Sequence, residues 1–256
     1  MGSATVPGMG NGGSRVRRLL IAASLGVVLI LAWGAAAFVQ RAELLIGGLP
    51  QRIQAELAAH REPFVPLSGM PKALLLATVA VEDRSFWTNP GISLEGIARA
   101  ALVDFASEAW VEGGSTITQQ LIRDQLLGYQ KTLSRKTTEM VYAVLATRRF
   151  SKQTILSLYL NEVNYGAGAF GIAAAAKTYF GLSPRALNFT QCTLLAGLPQ
   201  YPYGYNPLLH PGAARARQRT VLGAMVAVGE ITPAQARGAE GAPLGLLHTG
   251  RTAQAG

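Results

Sequence analysis

A mainly α-helical domain behind one N-terminal membrane-spanning helix is the fold class this sequence predicts. Three observations carry it. Residues 19–39 hold no charge and follow Arg15, Arg17 and Arg18. The later apolar stretches recur at helical spacing, and none shows sustained period-two alternation of the strand kind. Glycines and prolines (Gly113-Gly114, Gly166, Gly181, Pro184, Pro199, Pro202, Pro207) fall between those stretches, where they end one element and free the next.

Taken in order, residues 1–18 form a Gly/Ser-rich tail that ends in the basic cluster. Val6 stands where a myristoylation signal needs Ser or Thr. At about 1.5 Å per residue, Leu19–Val39 spans roughly 30 Å, one bilayer core. The basic flank on its N-terminal side places the tail in the cytoplasm and the rest outside. A cleaved signal peptide is the alternative, because Ala35-Ala36-Ala37 resembles a cleavage site. The apolar run exceeds the ~7–15 residues of a signal-peptide core, which favours a retained anchor. Both readings export the domain.

Residues 40–67 read as a stalk or linker, helical over 43–62 and ending at Pro63 and Pro66. A domain over residues 68–237 opens with a buried helix from Lys72 to Val81. Helical spacing returns over Leu94–Phe105, Thr116–Leu127, Leu133–Phe150, Lys152–Leu160, Phe170–Phe180, Leu187–Ala196 and Ala213–Val228. Residues 238–256, rich in Ala and Gly, read as a flexible tail.

Composition narrows the function. Of the 256 residues, 49% are hydrophobic and 14% charged, which suits a packed core plus a membrane element and excludes a disordered chain. The net charge of +9 attracts polyanions: nucleic acid, anionic lipid or a pyrophosphate-bearing substrate. Export makes nucleic acid a poor partner and leaves the membrane surface. One cysteine, Cys192, allows no intrachain disulfide, and His60, His210 and His248 lack metal-ligand spacing.

Three constellations could carry chemistry. Glu82-Asp83-Arg84-Ser85-Phe86 ends the apolar helix. A carboxylate there can sit against low-dielectric packing, which raises its pKa and lets it act as a base; a surface acid pair with a local salt bridge is the plainer reading. Gly113-Gly114-Ser115-Thr116-Ile117-Thr118-Gln119-Gln120-Leu121-Ile122-Arg123 combines backbone that a ligand can approach closely, a helix cap, and amide and guanidinium donors. This suits a phosphate or a sugar hydroxyl, though an ordinary helix start reads the same way. It is not a Walker loop, since no Gly-Lys-Ser/Thr follows. Lys131, Arg135, Lys136 and Glu139 form the third group, in which Arg135 and Glu139 share a helix face. An exposed ion pair is the plainer reading there; a divalent cation or an oriented base is the functional one.

Together these segments resemble the family-51 peptidoglycan glycosyltransferases, the polymerase modules of class A penicillin-binding proteins and their monofunctional relatives. The family's Glu-Asp-Arg-x-Phe is Glu82–Phe86, with Gly91 after it. Its Gly-Gly-Ser-Thr-Ile-Thr-Gln-Gln-Leu is intact from Gly113 to Leu121, and its Arg-Lys-x-x-Glu is Arg135–Glu139. Its fourth motif appears as Ile155-Leu156-Ser157-Leu158-Tyr159-Leu160-Asn161 with Tyr165-Gly166. Ala175–Gly181, Leu195–Gln200, Asn206-Pro207 and the run from Arg217 and Arg219 through Val221-Leu222 to Met225 follow the family's ending. The resemblance covers roughly residues 68–235.

The resemblance implies a lysozyme-like, bilobal helical fold with a membrane-dipping subdomain, to which Ile92, Leu94, Ala101, Leu102, Val103, Phe105 and Trp110 would contribute. It implies polymerisation of lipid II, the lipid-linked disaccharide-pentapeptide, into β-1,4-linked glycan by a single inverting displacement that releases undecaprenyl pyrophosphate. Glu82 would be the general base. Glu139 would hold a pyrophosphate-bound divalent cation (Mg2+ or Mn2+) or orient the site. Arg123, Lys131, Arg135 and Lys136 would meet the pyrophosphates, and Ser115, Gln119 and Gln120 would line the cleft. Asp83, Arg84, Phe86, Gly113, Gly114, Thr116 and Asn161 would support it. The implied setting is the bacterial plasma membrane, single-pass, with the catalytic domain extracytoplasmic. The growing glycan is the implied partner, with a transpeptidase or division and elongation proteins beside it. The chain departs from the family's pattern at Asn89, Asp124, Thr138, Thr147, Ser157 and Gln191. These departures motivate the alternative of a weakly active or inactive lipid II-binding scaffold. A glycan-cleaving hydrolase is a third reading, which the intact second motif opposes.

Overall fold

The computed structural model describes residues 12–96 and 114–247. Every regular element among them is helical, apart from one isolated bridge between Asn164 and Phe170. The expected membrane-dipping segment falls largely on residues 97–113, so Ala101, Leu102, Val103, Phe105 and Trp110 lie outside the described residues. Gly113 does as well.

The chain divides into two units, Met1–Leu44 and Leu45–Gly256. The first is built on helix α1 (Gly12–Gly47), whose stretch from Arg17 is apolar and long enough to cross a membrane. Its large apolar side chains stand exposed, Leu31 and Trp33 among them. By length and composition this helix is able to cross a membrane.

The second unit begins earlier than the sequence suggests. Residues 45–67 are no free-standing stalk. Helix α2 (Leu49–Ala59) buries Leu49, Ile53 and Leu57, a stripe at four-residue spacing, and packs on helix α6 (Lys152–Glu162). Asn161 fastens the segment that follows: its Oδ1 accepts from the Val65 N–H at 2.8 Å, and its Nδ2 donates to the Val65 carbonyl at 2.8 Å.

Two helical groups make the rest. Helix α3 (Lys72–Glu82) packs against α8 (Phe189–Gly197) and α9 (Pro211–Ala227), through Ala77 and Ala80 facing Ala196, Val221 and Met225. Small side chains at that seam let the helix backbones come close. In the other group, α4 (Ile117–Ile122) packs on α5 (Leu133–Arg149) and α6, and α6 also packs on α7 (Gly171–Phe180). A π-type turn over Arg123–Leu127 continues α4, where the sequence suggests unbroken helix.

The caps follow from sequence. Thr116 and Gln119 close a capping box on α4, and Asn188 and Gln191 close another on α8. Glutamine serves this purpose as well as glutamate, which accounts for Gln191 at one departing position. The last helix, α10 (Pro233–Gly241), buries Ala236 and Ala239 against Leu222 of α9. Beyond it, the Leu247 N–H donates to the Tyr179 carbonyl at 2.8 Å, and Gln191 Nε2 donates to the Leu244 carbonyl. Residues 238–247 are therefore packed, not a loose tail. Apolar Leu244 amid Ala and Gly was the signal.

Candidate active site

Glu82 is the last residue of α3, at the seam between the two helical groups. Its Oε2 accepts from Gln120 Nε2 of α4 at 2.9 Å, and its Oε1 accepts from Arg217 Nη2 of α9 at 3.1 Å. Both members of the Glu82–Arg217 pair are 9% exposed. Burial pushes the Glu82 carboxyl above its ordinary range, while the Gln120 hydrogen bond and the Arg217 charge pull the other way. Behind Gln120, the Tyr159 hydroxyl donates to Gln120 Oε1 at 3.3 Å and holds the amide in the orientation that gives its N–H to Glu82.

The sequence motifs alone give Arg217 no site role. It reaches Glu82 across Gly197, whose carbonyl accepts from Arg217 Nε at 3.1 Å. A Cβ at Gly197 would lie 2.9 Å from Arg217 Cγ, so glycine there clears the arginine's path. The signal was present. Arg217 falls on the stripe of α9 that buries Ala214, Val221 and Met225, where an arginine needs a partner.

Asp83 turns away from this role. It is buried, and Asn89 Nδ2 donates to both its oxygens at 2.9 and 3.0 Å. The Ser85 hydroxyl and the Ile117 N–H also donate to it. Burial raises its pKa, and the Asn89 and Ser85 hydrogen bonds oppose the shift. Asn89 Oδ1 in turn accepts from the Gly91 N–H and from Lys152 Nζ, each at 2.9 Å. Asn89, one of the departing positions, thus knots the first motif to α6. The Lys152 ammonium lies 4.7 Å from the centroid of fully buried Phe86. Gly91 has φ +104°, and a Cβ there would stand 2.3 Å from the Ala143 carbonyl oxygen, so only glycine fits. The Gly91 carbonyl accepts from Thr116 Oγ1 at 2.6 Å, which ties the second motif to the first.

Glu139 is 1% exposed and fully engaged. Arg135 Nη1 and Lys136 Nζ each stand 2.5 Å from one of its oxygens, and Gln119 Nε2 donates to it at 3.2 Å. Lys136 Nζ also donates to Ser115 Oγ at 2.8 Å. A divalent ion needs carboxylate oxygens with free lone pairs. Two cations already hold those of Glu139, and the described residues contain no cluster of three His, Cys, Asp or Glu able to ligate a metal. A divalent ion at Glu139 would have to displace Arg135 or Lys136 from its carboxylate.

Arg123 pairs with its neighbour Asp124, Nε to Oδ1 at 2.7 Å, and lies over the Tyr129 ring at 5.3 Å. Its charge acts on both Glu82 and Glu139. Lys131 and Arg84 are exposed. Asn161 is buried on backbone partners, a structural support outside the cleft. Among the other departing positions, Thr147 Oγ1 bonds the Ala143 carbonyl and Thr138 Oγ1 the Ser134 carbonyl, both within α5.

A cleft of about 290 Å³ opens onto this constellation, lined by Glu82, Asp83, Arg84, Ser85, Gly114, Ser115 and Thr116, together with Ser93, Glu95 and Gly96. A largely buried base with hydroxyls on one cleft, and fixed cations held nearby, can take a proton from an alcohol and steady an anionic leaving group.

Comparison with known proteins agrees with this. The family model described as Transglycosylase matches residues 50–226. The chain is 40% identical over 193 residues to penicillin-binding protein 1A of Aquifex aeolicus, covering 75% of this chain and 27% of that one. It is 40% identical over 187 residues to penicillin-binding protein 1F of Bacillus subtilis, covering 73% and 26%. A Cupriavidus necator protein that carries a transglycosylase name is 38% identical over 187 residues, covering 73% of this chain and 80% of the relative. The chain spans about a quarter of the length of the two penicillin-binding proteins.

Proposed function

The chain belongs to the transglycosylase family, and from that premise we propose that it is a peptidoglycan glycosyltransferase that polymerises lipid II into β-1,4-linked glycan strands. One observation carries the reading: Glu82 is a desolvated carboxylate, hydrogen-bonded to the cation of Arg217 and facing a cleft of about 290 Å³. An alcohol is a poor nucleophile until a base takes its proton. Glu82 takes the proton of the 4-hydroxyl on the acceptor disaccharide. The freed oxygen forms a bond to the anomeric carbon of the growing strand. The bond from that carbon to the pyrophosphate oxygen breaks, and undecaprenyl pyrophosphate leaves with the electron pair. One displacement inverts the anomeric centre from α to β.

The leaving group gathers negative charge, and Lys136, Arg135 and Arg123 are the cations to meet it, with exposed Lys131 as a further one. Glu139 anchors Arg135 and Lys136 in place, so its carboxylate is a positioning group. Ser115 lines the cleft, whereas Gln120 serves from behind by bonding Glu82, and buried Gln119 bonds Glu139 and the Thr116 N–H. The apolar helix α1, with its basic flank, supports a single-pass anchor in the bacterial plasma membrane and an extracytoplasmic domain. That setting places the growing glycan and lipid II at hand, and a transpeptidase or division and elongation proteins as neighbours.

The test is polymerisation from purified lipid II by the full chain beside Glu82→Gln. Long strands from the former and none from the latter support the polymerase. No strands from either, with lipid II binding intact, support a lipid-binding scaffold instead.

A further inference from the structure

A second cavity, of about 310 Å³, lies apart from the Glu82 cleft, between α2, α6 and the π-type turn. Glu56, Asp124 and Glu162 line it, with Gln125, Tyr129 and Phe170. His60 lines it too, its ring stacked on that of Phe170, and the polar inventory of the carboxylate side is unbalanced. Gln125 Nε2 donates to Glu56 Oε2 at 2.9 Å, and Arg123 neutralises Asp124. Glu162 Oε2 and Gln125 Oε1 are both buried and have no hydrogen-bond partner among the described residues. Turning the Gln125 amide over would only move the deficit to Glu56. Among the described residues, the donor open to these two oxygens in the free site is a proton on Glu162, which burial favours.

The turn that builds the site is itself uncommon. The Gly128 N–H donates to the Arg123 carbonyl at 2.8 Å, five residues back. Such widened turns interrupt regular helix and recur where side chains are needed in a particular place. This one sets Asp124 and Gln125 on the wall of the cavity.

We propose that this second cavity is a binding site for a primary ammonium group, of the kind borne by a lysine-like side chain or an amine lipid headgroup. An ammonium brings three N–H donors and a positive charge, and it has no acceptor that would clash with the two free oxygens. Glu56 and Glu162 supply negative charge beyond what Arg123 cancels. Aromatic Tyr129 and Phe170 suit the alkyl stem that carries the amine. The volume is at the small end of ligand pockets. A metal is the poorer occupant, because the described residues gather no set of three ligating groups. Burial first, and the Asp124 charge second, hold the Glu162 carboxyl well above the usual carboxylate range. Glu56 also raises it, while Gln125 and Arg123 oppose the shift. The arriving cation therefore displaces a proton from Glu162.

The site stands independently of the polymerase reading, since binding is measured without turnover. The experiment titrates the full chain in detergent micelles with Nα-acetyl-lysine methylamide and, as neutral control, its Nε-acetylated form. Calorimetry is repeated in two buffers of different ionisation enthalpy. Saturable binding of the lysine probe alone, with proton release, and about tenfold weakening in Glu162→Gln are expected, that being the loss of one charge-assisted hydrogen bond. Glu230→Gln, on the exposed surface, leaves the affinity unchanged. Glu56→Gln provides a second weakening variant if Glu162→Gln folds poorly. A parallel arm reconstitutes the chain in phosphatidylcholine vesicles with or without phosphatidylethanolamine. A phosphatidylethanolamine-dependent rise in Tm that Glu162→Gln abolishes assigns the amine to lipid; binding of the lysine probe assigns it to a peptide. Equal binding of the neutral probe, affinity unchanged in both variants, or no response in either arm overturns the proposal.

Discussion

Glu82 and Glu139 are both withdrawn from water, yet their surroundings oppose one another. Glu139 receives a guanidinium, an ammonium and an amide, so its charge is spent on neighbours from its own helix and from α4. Glu82 receives one amide and one guanidinium, each from a different helix, and faces a cleft. The first arrangement fixes an ion and the cations around it. The second leaves a carboxylate whose proton affinity is raised by burial and trimmed by Arg217. Number of partners, more than depth, separates an anchor from a base.

The sharpest way to break this comparison is to exchange each carboxylate for its amide. Glu82→Gln is expected to lower the rate of strand formation by about 10²–10⁴, the usual worth of a positioned general base. Its Tm should fall by a few degrees at most, because Arg217 loses its counter-charge while the amide keeps the volume and one acceptor for the guanidinium. Glu139→Gln is expected to act mainly on stability. It leaves Arg135 and Lys136 without their counter-charge and costs about 1–3 kcal/mol, because both cations keep contact with water that screens them, read by denaturant unfolding. A Glu139→Gln chain as stable as the parent but without activity would reverse the two roles.

Arg217→Met sharpens the Glu82 half. Arg217 lowers the Glu82 pKa, so its removal raises that pKa further. The base works in its ionised form, and at a given pH less of it is then ionised. The acid limb of kcat/KM against pH should move to higher pH, and activity lost near neutrality should return as pH rises. An unshifted limb would remove Arg217 from the base's control. The smallest effect expected is from Thr116→Val, which deletes one arm of the capping box and the bond to the Gly91 carbonyl, for about 1–2 kcal/mol of stability and little change in the pH profile.

Much of this was legible in the chain. The run Lys72–Val81 read as a buried helix, and its charged end proved to be the site, because apolar periodicity and an abrupt Glu-Asp-Arg are local signals. Contacts between distant segments were not legible in the same way. Arg217 meets Glu82 across 135 residues. Asn89 read only as a departure from the family's pattern, and its tie to Lys152 spans 63 residues. The stalk reading of residues 40–67 failed for a different reason: Leu49, Ile53 and Leu57 were visible as a stripe, but the face of α6 that receives them was not. The departures at Asn89, Thr147 and Gln191 each found local hydrogen bonds, so sequence divergence at those positions does not by itself mean a broken site.

Gly91 carries a lesson about inheritance. Its α-carbon passes Ala143 so closely that a single methyl would collide with the carbonyl oxygen, while its own carbonyl is held by Thr116. A library that varied this position would return glycine alone. A change at Asn89 or Thr147 alters side chains alone, but any Cβ at Gly91 meets backbone, so what must be inherited for the loop to cross α5 is the glycine itself.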